Sequence, residues 1–146
     1  MLKKFILFIF LLGTDQVSKY IIRQTGGFYI CNKGIAFGIS GIYFWLILFL
    51  IIALFIWQRK KIKELIFNHC LLIIFILAGA LSNLIDRFIF GCVIDFIDLK
   101  FWPVSIVMPS IINWPIFNLA DVYIVVGFLF IIYHQFRLKN NQKTRV

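Results

Sequence analysis

Apolar residues run along most of this chain, and the polar positions that interrupt them mark where its elements begin and end. The first run, roughly Lys4 to Ile22, carries Asp15, Gln16 and Lys19 in its second half. Its start resembles the n- and h-regions of a signal peptide, but no small-x-small cleavage site follows, so it is read as a first membrane span. Thr25 to Ser40 is short, polar in places and rich in glycine, which discourages helix; Phe28 to Cys31 reads as a strand within a small, partly β segment. Ile42 to Trp57 is uniformly apolar and, with Phe37 to Gly41, reaches the roughly 20 residues a span needs. Leu65 to Ile85 predicts a third span, with the small residues Gly79, Ala80 and Ser82 near its far end. Arg87 to Phe117 predicts a long segment outside the bilayer. Its later half is aromatic but broken by Pro103, Pro109 and Pro115, so it rests on the interface rather than crossing as a helix. Leu119 to Phe136 predicts the fourth span.

The expected fold is therefore all-α and integral to the membrane, with four transmembrane helices and an interfacial helix or loop over one end. Residues 1–146 are expected to form a single membrane-embedded domain. Composition strengthens this reading: 62% of the residues are hydrophobic and the mean hydropathy is +0.98. So small a chain cannot bury that much apolar surface within itself, so lipid must serve as its solvent.

The net charge of +9 matters through its placement. Lys3 and Lys4 precede the first run, Arg59, Lys60, Lys61 and Lys63 separate the second and third, and Arg137, Lys139, Lys143 and Arg145 follow the last. That is the positive-inside pattern of an N-in, C-in protein, and it explains the basic segments without invoking nucleic acid. The acids sort the other way. Of the six, Glu64 alone falls on the predicted inner side, while Asp15, Asp86, Asp95, Asp98 and Asp121 fall near the outer span ends or in the outer segment.

Ionisable groups at the edge of hydrocarbon are costly and mark function by default. Asn83, Asp86 and Arg87 lie at i, i+3 and i+4 on one helix face, where a local ion pair is the plain structural account. Asp15 and Lys19 are an i, i+4 pair. Asn118 and Asp121 fit N-cap and N3 of the fourth span, where capping alone accounts for them. Asp95 stands among Val93, Ile94 and Phe96 in apolar surroundings; Asp98, in a more exposed context, is left out of the chemistry. A helix N-terminus favours one carboxylate while a second carboxylate nearby favours a retained proton. Asp95 and Asp121, brought together this way, would share one proton and activate water.

Other chemistries fit less well. His69 and His134 fall near the inner ends, Ser18 and Lys19 are adjacent and poorly aimed at each other, and no zinc pattern exists. Cys70 is mid-span. Cys31 and Cys92 both fall on the outer side, and a disulfide between them stays open on these grounds. Gly91, Asp95 and Asp98 faintly resemble the end of a metal-dependent headgroup-transferase motif, but the spacing is one residue short and its upstream half is missing. A proton or ion pathway would place acids at mid-membrane depth, and these collect at one edge.

DQVSK at 15–19, NKGIAFG at 32–38, GALSNLIDR at 79–87, VIDF at 93–96 and FNLAD at 117–121 together resemble the ordered motifs of the lipoprotein signal peptidase family, also called signal peptidase II. Where the family often has glycine, this chain has the small residues Ala78 and Ser82. The resemblance implies a monomeric aspartic endopeptidase of the bacterial cytoplasmic (inner) membrane, with a small β-cradle and a periplasmic helix over an extracytoplasmic site. It implies diacylglyceryl-prolipoprotein substrates cut just before the lipid-bearing cysteine, membrane lipid as surroundings, globomycin-type inhibition, and no metal or organic cofactor. It places the catalytic pair on Asp95 and Asp121, and assigns Asp15, Lys19, Asn32, Asn83, Asp86, Arg87 and Asn118 to shaping the site or holding substrate.

Overall fold

The computed structural model describes residues 2–34, 69–101 and 114–143. The predicted second span and most of the proline-broken segment lie outside these. Among the described residues three long helices dominate: α1 (Leu2–Gln24), α2 (Cys70–Phe90) and α3 (Leu119–Lys143). Each contains a stretch long and apolar enough to cross a membrane, reaching to Arg137 in α3. Their outward faces carry exposed Phe5, Phe10, Leu71, Leu77, Phe128 and Leu129. Large apolar side chains left uncovered along a whole helix fit hydrocarbon surroundings, since dispersion and small interfacial residues hold such bundles together.

Two glycines let α2 and α3 approach closely. A Cβ on Gly79 would collide with the carbonyl oxygen of Ala120 and come within 2.9 Å of Ile124 Cγ1. A Cβ on Gly127 would lie 2.6 Å from Ile76 Cγ1 and 2.9 Å from the Leu72 carbonyl oxygen. At the far end of this pair of helices, His69 packs edge-on to His134 with ring centroids 4.9 Å apart.

The third span ends later than Ile85. Helix α2 continues through Asp86 and Arg87 to Phe90, and stops where Gly91 takes a left-handed conformation (φ 71°) and donates its N–H to the Arg87 carbonyl. Arg87 therefore belongs to the helix, not to the outer segment. The polar residues at the C-terminal end of α2 stay helical because α1 offers them partners, which hydropathy alone does not register.

Beyond the helices, β1 (Ile30–Asn32) pairs antiparallel with β2 (Val93–Asp95), with Ile30 opposite Asp95 and Asn32 opposite Val93. The strand expected at Phe28 to Cys31 thus lies two residues further on at its start. Cys31 and Cys92 form a disulfide across this sheet, with Cα atoms 5.4 Å apart. A single bridge then joins Ile97 to Phe117: the Phe117 carbonyl accepts from the N–H groups of Phe96 and Ile97, and the Phe117 N–H donates to the Ile97 carbonyl. That bridge ties the residues after β2 to those just before α3. Asp98 is buried, unlike the exposed setting its sequence context suggests; it accepts from the Lys100 N–H at 2.9 Å and so closes the short 3-10 turn Leu99–Phe101.

Candidate active site

Asp15, Lys19, Asn83, Asp86, Arg87, Asn118 and Asp121 meet at one end of the bundle. α1 contributes its second half, α2 its last turns and α3 its first turn, which requires α1 and α2 to run one way and α3 the other. Asp15, Lys19, Asp86 and Asn118 are at most 2% exposed, and among the described residues every buried side-chain nitrogen or oxygen has a hydrogen-bond partner. Buried polar groups satisfied this fully rigidify their surroundings.

Lys19 is the hub. Its ammonium lies 2.7 Å from Asp15 Oδ2, 2.8 Å from Asp86 Oδ2 and 2.9 Å from Asn83 Oδ1. Asp15 in turn accepts from Ser82 Oγ at 2.6 Å and from the Ala120 N–H at 2.9 Å, so a carboxylate of α1 sits at the positive end of α3. Asp86 accepts from the Ile94 N–H at 3.2 Å, which anchors β2 to α2. The i, i+4 pair Asp15–Lys19 forms as its spacing predicts. Asp86 also pairs across helices, with Lys19 reaching it from α1.

Asn83 and Asn118 connect this hub to the two remaining acids. Asn83 Oδ1 accepts from Asn118 Nδ2 at 3.1 Å, while Asn83 Nδ2 donates to Asp121 Oδ1 at 2.8 Å. Asn118 Nδ2 also donates to Asp95 Oδ1 at 2.7 Å, and Asn32 Nδ2 donates to Asp95 Oδ2 at 2.9 Å. Asn118 and Asp121 cap α3 reciprocally: the Asp121 N–H donates to Asn118 Oδ1 at 3.0 Å, and the Asn118 N–H donates to Asp121 Oδ2 at 3.2 Å. The capping positions expected from sequence are thus occupied, with side chains that also reach Asp95 and Asn83.

Asp95 and Asp121 both line one cavity of about 280 Å³. Asn32, Asn83 and Arg87 share its polar side; Val93, Trp114, Ile116, Phe117, Ile124 and Val125 make its apolar side. Arg87 donates to the Gly34 carbonyl at 3.1 Å and to the Asn83 carbonyl at 3.4 Å. Burial pushes the Asp95 carboxyl up to about 6; the Asn32 hydrogen bond works against that, repulsion from Asp121 adds to it, and Asn118 and Lys19 oppose it. A carboxyl held near 6 beside a second carboxyl can keep or release a proton close to neutral pH.

Every residue predicted for the site lies in this constellation. Gln16 and Ser82 were not predicted for it. Gln16 Nε2 lies 2.8 Å from Ser82 Oγ, 2.9 Å from Asp86 Oδ1 and 3.1 Å from the Ser82 carbonyl. A polar amide on the same stretch as Asp15 and Lys19 was the available signal.

The chain resembles known proteins over nearly its whole length. Residues 7–137 match a family model described as signal peptidase (SPase) II. A lipoprotein signal peptidase of Gloeothece citriformis is 35% identical over 155 residues, covering 90% of this chain and 88% of that one. One from a Synechocystis species is 40% identical over 145 residues, covering 84% and 80%. A solved structure, titled as a bacterial membrane enzyme determined by the in meso method at 2.3 Å resolution, superposes with a TM-score of 0.72 at 28% identity, covering 97% of this chain and 92% of that one.

Proposed function

This chain belongs to the signal peptidase II family, and from that premise we propose that it removes the signal peptide from diacylglyceryl-modified prolipoproteins, cutting just before the lipidated cysteine by water activated between Asp95 and Asp121. The observation that carries the proposal is the asparagine bridge: Asn83 and Asn118 join each other, and each also holds one of the two acids.

In this mechanism the pair carries one proton between its two carboxyls. The ionised member takes a proton from water as that water attacks the scissile carbonyl. The protonated member gives its proton to the carbonyl oxygen, and the leaving nitrogen is protonated as the tetrahedral species collapses. The two asparagines and the cap of α3 hold each carboxyl by its own donors, so neither swings away when its charge changes. Arg87, on the same wall, is proposed to hold the substrate backbone.

The orientation proposed is N-in and C-in, with four spans and the site at the extracytoplasmic face of the bacterial inner membrane. Two observations support it: Lys3, Lys4 and Arg137 lie at the helix ends away from the acids, and the disulfide lies at the same end as the acids, where an oxidising compartment favours it. A lipidated precursor stays in the bilayer, so its scissile bond reaches the outer interface, where the acids are proposed to lie. The whole chain is proposed to act as one monomeric peptidase domain, without a cofactor and sensitive to globomycin-type inhibitors.

The test is cleavage of a diacylglyceryl-modified precursor by purified protein. Asp95→Asn and Asp121→Asn are each expected to abolish processing while the protein still inserts and melts cooperatively. Turnover like the parent's in either variant removes that residue from the chemistry. Absence of cleavage by the parent, together with an EDTA-sensitive transfer of lipid headgroups, would instead favour the metal-dependent transferase reading.

A further inference from the structure

We propose that the Cys31–Cys92 disulfide is a positioning device for the reaction: it holds β1 against β2 so that Asn32 stays on Asp95, and the enzyme works at full rate only while the pair is oxidised. The proposal rests on the assignment of Asp95 to the chemistry above.

Cys31 and Asn32 are neighbours on β1, and Cys92 immediately precedes β2, which ends on Asp95. The Asn32 amide is aimed by its own local bond, since its Oδ1 accepts from the Gly34 N–H at 3.0 Å, leaving Nδ2 to donate to Asp95 Oδ2 at 2.9 Å. The strand that delivers it is weak by itself. It has three residues and, among the described residues, pairs with one other strand, and such a pairing is marginal without further support. The Arg87 bond to the Gly34 carbonyl adds one tie. The disulfide adds a covalent one across 61 residues of sequence, which removes the entropy of bringing β1 back to β2. Because Asn118 already serves the other oxygen of Asp95, losing Asn32 leaves that acid held from one side only.

The chemistry is thiol–disulfide exchange with a dithiol. Cys92 is buried, while Cys31 is exposed, so a reagent thiolate meets Cys31 Sγ first. The S–S bond breaks, Cys92 leaves as a thiolate and takes up a proton, and the reagent's second thiol closes its own disulfide and frees Cys31 as a thiol. Two electrons pass from the dithiol to the protein. The Asn32 bond opposes the upward push on Asp95, so its loss moves the ionisation of Asp95 to higher pH.

The experiment uses the purified full chain and a diacylglyceryl-modified precursor. Cleavage by the oxidised protein is the first arm; its absence sinks the proposed function, separately from this proposal. Alkylation and mass measurement are expected to find one free thiol before dithiothreitol and three after, because Cys70 is free throughout. On reduction, kcat/KM is expected to fall by roughly 10- to 100-fold, the upper figure being what a misplacement of about 1 Å costs. The ionisation near 6 in the pH profile should move up, and reoxidation should restore both. Cys70→Ser should keep the parent's rate and its response to dithiol. Asn32→Ala should show the reduced rate already when oxidised and respond little to dithiol. A reduced parent enzyme with unchanged kcat/KM and pH profile overturns the proposal, as does an Asn32→Ala variant that responds as fully as the parent, or three free thiols before any reductant. Should Cys31→Ser/Cys92→Ser not accumulate as folded protein, reversible reduction of the parent decides the matter.

Discussion

Lys19 lies at most 2.9 Å from Asp15, Asp86 and Asn83, inside a part of the molecule where it and both carboxylates are almost wholly buried. A buried ion pair contributes little over apolar packing, but removing one partner leaves the other charge stranded, at a cost of about 3–5 kcal/mol. Lys19→Met strands two carboxylates at once. It is expected to lower the melting temperature in detergent clearly more than Lys19→Met combined with Asp86→Asn, in which one stranded charge has been removed. Equal melting temperatures for the two variants would mean that the ammonium does not neutralise Asp86. Residues of this kind were legible in the sequence because a charge inside an apolar run has few reasons to be there: Asp15, Lys19, Asp86 and Asp121 stood out that way, and Asn83 by sharing a helix face with Asp86 and Arg87. Gln16 and Ser82 did not. Gln16 interrupts the first run beside Asp15, but an uncharged amide and a small hydroxyl are cheap enough near hydrocarbon that neither points to a site by itself; their roles appear when Gln16 is found donating to Asp86 and Ser82 to Asp15.

At the scale of the element, the apolar runs predicted α1, α2 and α3, but not where α2 ends. That end depends on a left-handed Gly91 and on partners from α1, neither of which affects hydropathy. The strands were harder still. With three residues each, they are too short for alternation to mark them, and the Ile97–Phe117 bridge joins positions far apart in sequence. Yet that bridge, followed at once by the Asn118 cap, is what brings Asp95 to the start of α3. The crossing of α2 over α3 is equally specific. Gly79→Ala puts a methyl group onto the Ala120 carbonyl, one residue before Asp121, and forces the helices apart at the site. Overpacking of this kind costs typically 1–3 kcal/mol. Gly79→Ala should therefore depress processing of a lipidated precursor and lower the melting temperature. Gly13→Ala, in α1 with open space around the new methyl, should leave activity intact and raise stability slightly, by about 0.5–1 kcal/mol. A Gly79→Ala enzyme as active and as stable as the Gly13→Ala one would show that the crossing tolerates the methyl group.

At the scale of the whole molecule, charge is divided along the helix axes. Asp15, Asp86, Asp95 and Asp121 gather at one end with the disulfide. Lys3 and Lys4 begin α1 at the opposite end, and Arg137 closes the span of α3 there, beside the His69–His134 contact. Loops bearing lysine and arginine resist translocation, whereas acids contribute little to orientation, so the proposed orientation keeps the basic end in the cytoplasm. A disulfide at that end would face a reducing compartment, while at the acidic end it faces an oxidising one. Two unrelated forces, membrane insertion and redox chemistry, thus both support the extracytoplasmic side proposed for the site. A green fluorescent reporter fused after Val146 should accordingly fluoresce, while alkaline phosphatase at the same junction should stay inactive. Moving the balance should reverse the result in part: replacing Arg137, Lys139, Lys143 and Arg145 with glutamine, and adding lysines beside Gly26, should shift a fraction of molecules toward phosphatase activity and lose precursor processing in the same proportion. Strong phosphatase activity from the unaltered chain would put the carboxylates on the cytoplasmic side. There they could not meet a precursor whose cleavage site has already been exported, and the peptidase mechanism would have no substrate within reach.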